Sequence, residues 1–212
     1  MKIPEFYNVI IYLLLSGLLV PNFDSFGYFF LLDVVEVSKF TYSMLTVLTY
    51  GCLLVGTVLY NAFFKESEFR SLFVWEVVIK LIFLTPLTFI FIMRVNVDFG
   101  IPDIAMMAFV TSAGTILTHC LLSLPGVIIG TKICPKHIEA TMFAVIAGIA
   151  SLRGAVSSWV GAWVNDYWVG VTDKDLSKYW ILVAIKSICS LLPLFFIWLI
   201  PTRKQVEKLQ MK

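Results

Sequence analysis

Charge is what this sequence has least of. Only 14% of its 212 residues are Asp, Glu, Lys or Arg, against roughly 25% in a soluble domain. The net charge of +2 is too small to hold a polyanion, and the basic residues sit at segment ends rather than in one patch, so no nucleic-acid partner is expected. Histidine is limited to His119 and His137, and HExxH, GxSxG and Gly-rich phosphate loops are missing. The sequence therefore predicts no metal, no cofactor and no enzyme activity. Cys52, Cys120, Cys134 and Cys189 are widely separated and make no CxxC; they read as small apolar residues. No polar stretch is long enough for a soluble catalytic domain.

Apolar residues fill the space that charge leaves: 59% of the chain is hydrophobic, with a mean hydropathy of +0.91. A membrane helix needs about 20 apolar residues at ~1.5 Å rise to cross ~30 Å of hydrocarbon. Six segments qualify: Phe6–Leu32, Thr41–Phe64, Leu72–Met93, Ile104–Thr131, Ile138–Asn165 and Tyr179–Ile200. The first run is too long for a cleavable signal and is expected to be a mature helix, kinked by Pro21, Asp24 and Gly27. The prediction is an all-α polytopic membrane protein, with residues 1–201 as a six-helix transmembrane bundle and 202–212 as a solvated, basic, cytoplasmic-side tail. With the N-terminus inside, Lys2, Lys65, Arg70, Lys132, Lys136, Arg203, Lys204, Lys208 and Lys212 are cytoplasmic, against Lys39, Arg94, Lys174 and Lys178 outside. The positive-inside rule then puts both termini on the cytoplasmic side. The lipid bilayer is the first partner.

Ionisable residues at membrane depth are functional candidates by default. Six are present: Asp24, Glu76, Lys80, His119, Arg153 and Lys186. Glu76 and Lys80 are four apart with the acid N-terminal, the spacing of a structural ion pair on one helix face. Asp24 and Lys186 lie at similar depth on the first and last helices and can pair if those helices are neighbours. Arg153 has no evident carboxylate partner, and its planar fork of five donors suits a carboxylate or phosphate; backbone carbonyls and hydroxyls are the alternative. Thr111, Thr115, His119 and Ser123 recur every four residues and so share one face, which either lines a pathway or bonds to a neighbouring helix. Gly126 and Gly130, and then Ala140, Ala144 and Gly148, followed by Gly154, Ser158 and Ala162, have the spacing of close helix packing.

Five ordered motifs carry a resemblance: VPNFDSFGYFF with Pro21, Asp24, Tyr28 and Phe29; VGTVLYNAFFKESEFR with Gly56, Tyr60, Asn61, Lys65 and Arg70; GIPD at Gly100–Asp103; CPKHIEATMFA from Cys134 to Ala144; and LLPLFF followed by Pro201. Together they span nearly the whole chain and resemble the C-terminal six helices of the folate-biopterin transporter family of the major facilitator superfamily. The resemblance implies one half of a facilitator fold, a folate- or pterin-like anion as substrate, and a role for Asp24 in substrate or proton coupling, with the ion pair to Lys186 as the alternative. Arg153, His119 and Lys186 complete the substrate and coupling candidates. Where the family often has an Asn followed by Gly after the EATMFA motif, this chain reads Ala150, Ser151, Leu152 and Arg153. Facilitators bind substrate between two halves, so a lone half implies a fragment, a second six-helix unit or other membrane subunits as partner, or a transport-inactive structural subunit of a larger membrane complex.

Overall fold

A computed structural model describes residues 4–133 and 139–210, and every regular element among them is helical. The first span is two helices, α1 (Pro4–Leu19) and α2 (Asp24–Val34), bent by 50° across the break between them. Then come α3 (Lys39–Phe64), α4 (Phe69–Ile92), α5 (Asp103–Lys132), α6 (Glu139–Val164, continuing through a wide turn Asn165–Val169), α7 (Tyr179–Leu199) and α8 (Arg203–Gln210). Five helices are long and apolar enough to cross a bilayer, and the bent pair makes a sixth. The chain is an integral multi-pass membrane protein. The CPKHI turn, Cys134–Ile138, lies outside the described residues.

The helices deviate from ideal geometry for identifiable reasons. Within α4 the stretch Lys80–Leu84, and within α5 the stretch His119–Ser123, are π-helical. Each ends two residues before a proline, Pro86 and Pro125, whose missing N–H leaves a carbonyl one turn back without its partner. A wider turn lets the backbone re-pair inside an environment that offers no water. The π turn at His119 also ends the four-residue spacing there. Thr111 and Ser123 are exposed, whereas Thr115 and His119 are partly buried. The last span is α-helical only over Tyr179–Cys189 and tightens into a 3₁₀ segment at Leu192–Leu199, around Pro193.

At one end of the bundle the polar loops knit the spans together. Arg70 Nε donates to the Ile200 carbonyl at 2.6 Å and its Nη2 to the Trp198 carbonyl at 2.9 Å. These are the carbonyls that the end of α7 cannot pair internally. Arg203 donates to the Lys65 carbonyl at 2.7 Å and to Glu66 at 2.6 Å. Within the predicted tail, residues 203–210 are helical: Thr202 and Gln205 cap α8 through a Thr202 N–H to Oε1 bond of 2.8 Å, Val206 is fully buried, and Lys204 and Gln205 are exposed. Among the described side chains, a capping pair and a buried valine support this helix. At the opposite end, Arg94 pairs with Asp103 at 2.9 Å, and buried Asn96 donates to Asp103 at 2.9 Å and to the Ile101 carbonyl at 3.1 Å. That set fixes the GIPD turn.

Close helix packing is found at Gly130 of the small-residue pattern and otherwise at positions outside that pattern. A Cβ on Gly161 would lie 2.1 Å from the Asn22 carbonyl oxygen, and one on Gly17 would lie 2.4 Å from Arg153 Cγ. Gly130 packs against Ile146. Gly126, Gly148 and Gly154 meet nothing within 4 Å, and Ala144, Ser158 and Ala162 are exposed; the side chain of Ala140 is outside the described set. The reason is rotational: the face of α6 that α1 occupies runs through Arg153, Ser157 and Gly161, and the small residues beside it point away from this chain.

Two outcomes follow. Arg70→Leu strips two charge-assisted bonds from the end of α7 and lowers stability by about 2–3 kcal/mol, read as a fall in the thermal midpoint of the purified protein; an unchanged midpoint would remove Arg70 from the closure of this end. Gly161→Val overpacks the α1–α6 contact and destabilises by about 1–3 kcal/mol or more, whereas Gly148→Ala leaves the midpoint unchanged.

Candidate functional site

The site begins where the first span breaks. Pro21 cannot continue α1, and between Val20 and Phe23 the chain has no helical ladder of its own. Helix α6 supplies the missing partners. The Asn22 N–H donates to the Ser157 carbonyl at 3.0 Å, and the Ser157 hydroxyl donates to the Val20 carbonyl at 2.5 Å. The Asn22 side chain accepts from the Asp24 N–H at 2.8 Å and so opens α2. Gly161 is required because the Asn22 carbonyl occupies the volume that any side chain would fill. Unwound backbone held in this way is tolerated at membrane depth only where protein covers it or where it lines a cavity.

Beyond the break, the interior charges occupy three places. Asp24 Oδ1 accepts from Lys186 Nζ at 3.0 Å, with the carboxylate side chain 75% exposed. First and last spans are thus neighbours, and the structure brings these two candidates together. Glu76 Oε1 accepts from Lys80 Nζ at 2.5 Å and from the Thr118 hydroxyl on α5 at 3.2 Å. Its side chain is only 4% exposed, so the pair does more than neutralise itself on one helix: it ties α4 to α5. His119 Nε2 lies 3.1 Å from the Thr57 hydroxyl on α3, over Gly56, where a Cβ would be 3.2 Å from the ring. His119 therefore makes its contact with a neighbouring helix.

Arg153 differs from all of these. It is half-buried, its stem lies against Gly17 of α1, and its guanidinium has no hydrogen bond or ion pair among the described residues. Tyr12, one of the buried residues, meets the Phe73 ring edge-on at 5.9 Å. Asp24 with Lys186, and Glu76 with Lys80, are each neutral as pairs. Arg153 is the surplus cation of the described interior.

An open depression of about 810 Å³ at the Arg94 end is bordered by Asp33, Lys39, Asp173 and Lys174. Its two carboxylates and two ammonium groups offset one another, and none of the sequence-predicted candidates borders it. Sequence reasoning missed Tyr12, Thr57, Thr118 and Ser157. Each is a residue with a single polar group in an apolar run, and no periodicity singled it out; only the tertiary contact reveals its role.

The chain is 32% identical to the probable folate-biopterin transporter 5 of Arabidopsis thaliana over 72% of this chain and 30% of that protein. It is 34% identical to the folate-biopterin transporter of Synechocystis sp. (strain ATCC 27184 / PCC 6803 / Kazusa), over 70% of this chain and 29% of that protein. It is 26% identical to the probable folate-biopterin transporter 6 of Arabidopsis thaliana, over 98% and 41% respectively. The chain thus spans less than half the length of the curated relatives it matches. No solved structure matches it. Its relatives are transporters rather than enzymes, and the BT1 family profile covers residues 1–212: the chain belongs to the BT1 family.

Proposed function

We propose that this chain is a six-helix half of a transporter, corresponding to the C-terminal half of the folate-biopterin transporters, and that it moves a folate- or pterin-like anion together with a second six-helix unit. Both termini then lie on the cytoplasmic side, where Lys65, Arg70 and Arg203 meet. The observation that carries the reading is the surplus charge of Arg153. A guanidinium without a counter-charge at membrane depth is costly, and an anionic ligand supplies what the described residues do not. The broken first span beside it supports the same reading, because discontinuous helices with unwound backbone form the binding sites of many transporters near the midplane.

A second unit fits the surface as well. Helix α6 is the least covered span, with 6% of its apolar window buried. Ala144, Gly148, Gly154, Ser158 and Ala162 are exposed along it, and small residues are what a closely approaching helix requires. Within this reading Asp24 and Lys186 form the coupling pair, and His119 supports the wall between α3 and α5.

A second reading has its own observation. Asp24 is already neutralised by Lys186, and Ala150, Ser151 and Leu152 bring little polarity to the turn before Arg153. A transport-inactive subunit of a larger membrane complex would use Arg153 against another chain. The two readings separate in one experiment, in which cells or proteoliposomes carrying the chain take up labelled folic acid or biopterin. Transport predicts uptake that falls at least about tenfold in Arg153→Met, the loss of a charge-assisted contact being worth about 1.5–3 kcal/mol. Absence of uptake, with the chain purifying in a stoichiometric complex that Arg153→Met disrupts, would establish the structural reading instead.

The Asp24 pair has a separate test. Asp24→Asn abolishes uptake, and the swap Asp24→Lys with Lys186→Asp restores expression and thermal stability without restoring uptake. Full recovery of uptake in the swap would reduce the pair to a structural bridge.

A further inference from the structure

The depression at the Arg94 end lies between two loops that share one core. The α2–α3 loop sinks Val37 into an apolar cluster, and the α6–α7 loop sinks Val171 and Leu176 into the same cluster. Buried Asn165 fixes the second loop: its side-chain amide donates to the Val171 carbonyl at 2.9 Å, and its oxygen accepts from the Val171 N–H at 2.9 Å. Across the tip, Thr172 and Asp175 exchange backbone bonds of 3.3 Å, and the Asp175 carboxylate is engaged by Ser177. Asp173 and Lys174 remain on the rim, opposite Asp33 and Lys39 of the first loop. These four charged side chains are exposed, and none has a hydrogen bond or ion pair among the described residues.

Two of the four stand where helix stability alone would not place them. Asp33 is in the last turn of α2, whose carbonyl end disfavours an anion. Lys39 opens α3, whose N–H end disfavours a cation. Ser38 caps that helix by accepting from the Thr41 N–H at 3.1 Å, so its hydroxyl is already engaged. An anion seated here would relieve Lys39 and oppose Asp33, and a cation would do the reverse. A ligand that carries both charges relieves both, and a local conflict of this kind is characteristic of a binding site. The depression also opens where α2, α3 and α6 end, which in a bilayer is the headgroup layer. Phe29, one turn before Asp33 and 37% exposed, gives it an apolar wall.

We propose that this depression binds the headgroup of a zwitterionic lipid with a primary ammonium, of the phosphatidylethanolamine kind. The phosphate sits with Lys39 and Lys174 at the start of α3, the ammonium donates to Asp33 and Asp173, and the acyl chains pass Phe29. An ammonium has three N–H donors to share between two carboxylates. A choline headgroup has none, so it satisfies the lysines and leaves the aspartates without a donor. A glycerol headgroup brings the phosphate but no positive charge. None of the residues assigned to transport takes part, so the site stands or falls separately from the transport reading.

The test offers the purified full chain, in detergent, equal amounts of phosphatidylethanolamine, phosphatidylcholine and phosphatidylglycerol with the same acyl chains. Bound lipid is counted by native mass spectrometry. The ethanolamine lipid is expected to be favoured about tenfold, the scale of one charge-assisted hydrogen bond. Asp33→Asn with Asp173→Asn is expected to remove the preference over the choline lipid while keeping phosphate binding. Lys39→Gln with Lys174→Gln is expected to weaken the ethanolamine and choline lipids alike, and Lys204→Gln, at the opposite end, to change neither.

A second measurement checks the helix-end argument without lipid. The thermal midpoint of the lipid-free protein is expected to hold or rise in Asp33→Asn and in Lys39→Gln, because each removes a charge that opposes its helix. A fall in either would show that local structure holds the charge there, and would remove the reason for a ligand. No ethanolamine preference in the unmodified chain, a preference for phosphatidylglycerol, or a preference that survives both double variants overturns the proposal. Glycerophosphoethanolamine, the same headgroup without acyl chains, completes the set: if it binds as tightly as the intact lipid, the occupant is a soluble zwitterion and the lipid assignment falls.

Discussion

Hydrocarbon gives a backbone amide nothing to bond to, and the first span of this protein is unwound between α1 and α2. Everything around it answers that constraint. Once Pro21 ends α1, the groups of Val20 and Asn22 must find partners within the protein. Ser157 provides a donor and an acceptor to them, and Gly161 provides the space. That requirement sets the α1–α6 contact to backbone-on-backbone distance. The same contact presses Arg153 against Gly17, four residues before Ser157 on α6 and three before Val20 on α1. The position of the surplus cation is thus a consequence of how the break is satisfied.

The interior charges follow a matching logic. An ion in a medium of low dielectric needs a counter-ion with good geometry and further hydrogen bonds. Glu76 has this, with Lys80 and Thr118 on one oxygen. Asp24 and Lys186 have the pairing but remain largely exposed within the isolated chain, so their desolvation depends on what surrounds that surface. Arg153 is half-buried with its stem against Gly17 and has no counter-charge among the described residues. The three arrangements form a gradient from fixed to unsatisfied, and a ligand has most to contribute at the unsatisfied end.

Much of this was legible in the sequence where one-dimensional spacing carries the physics. Span number follows from apolar run length and the Glu76–Lys80 pair from a separation of four, while similar depth made an Asp24–Lys186 pair readable only on the condition that the first and last helices are neighbours. Pro21 marked the kink. What could not be read is rotation about a helix axis. The small residues of α6 were visible as a stripe, but which side of that stripe meets α1 depends on where Asn22 lands, a contact 139 positions away from Gly161. The proline-linked π turns add a second obstacle: a regular stripe such as Thr111, Thr115, His119 and Ser123 presumes a uniform turn, and the wider turn at His119 breaks it. The basic tail shows a third. Among its described side chains the helix has a buried valine and a Thr–Gln cap, features that a window average does not register.

The family motifs can be reread in that light. Gly56 makes room for His119, Tyr60 is buried, and Arg70 closes the end of α7; Asp103 of GIPD holds Arg94 and Asn96. These are joints between helices, and they account for how a six-helix unit keeps its shape at both ends. Asp24 is the motif residue that is not consumed by such a joint in the same way, because its carboxylate is three-quarters exposed while paired. Arg153 lies outside the motifs altogether. Residues that fix the scaffold and residues that carry uncompensated charge are therefore largely separate sets in this chain. A substitution in the first set acts through stability, and one in the second acts through whatever occupies the face the scaffold leaves open.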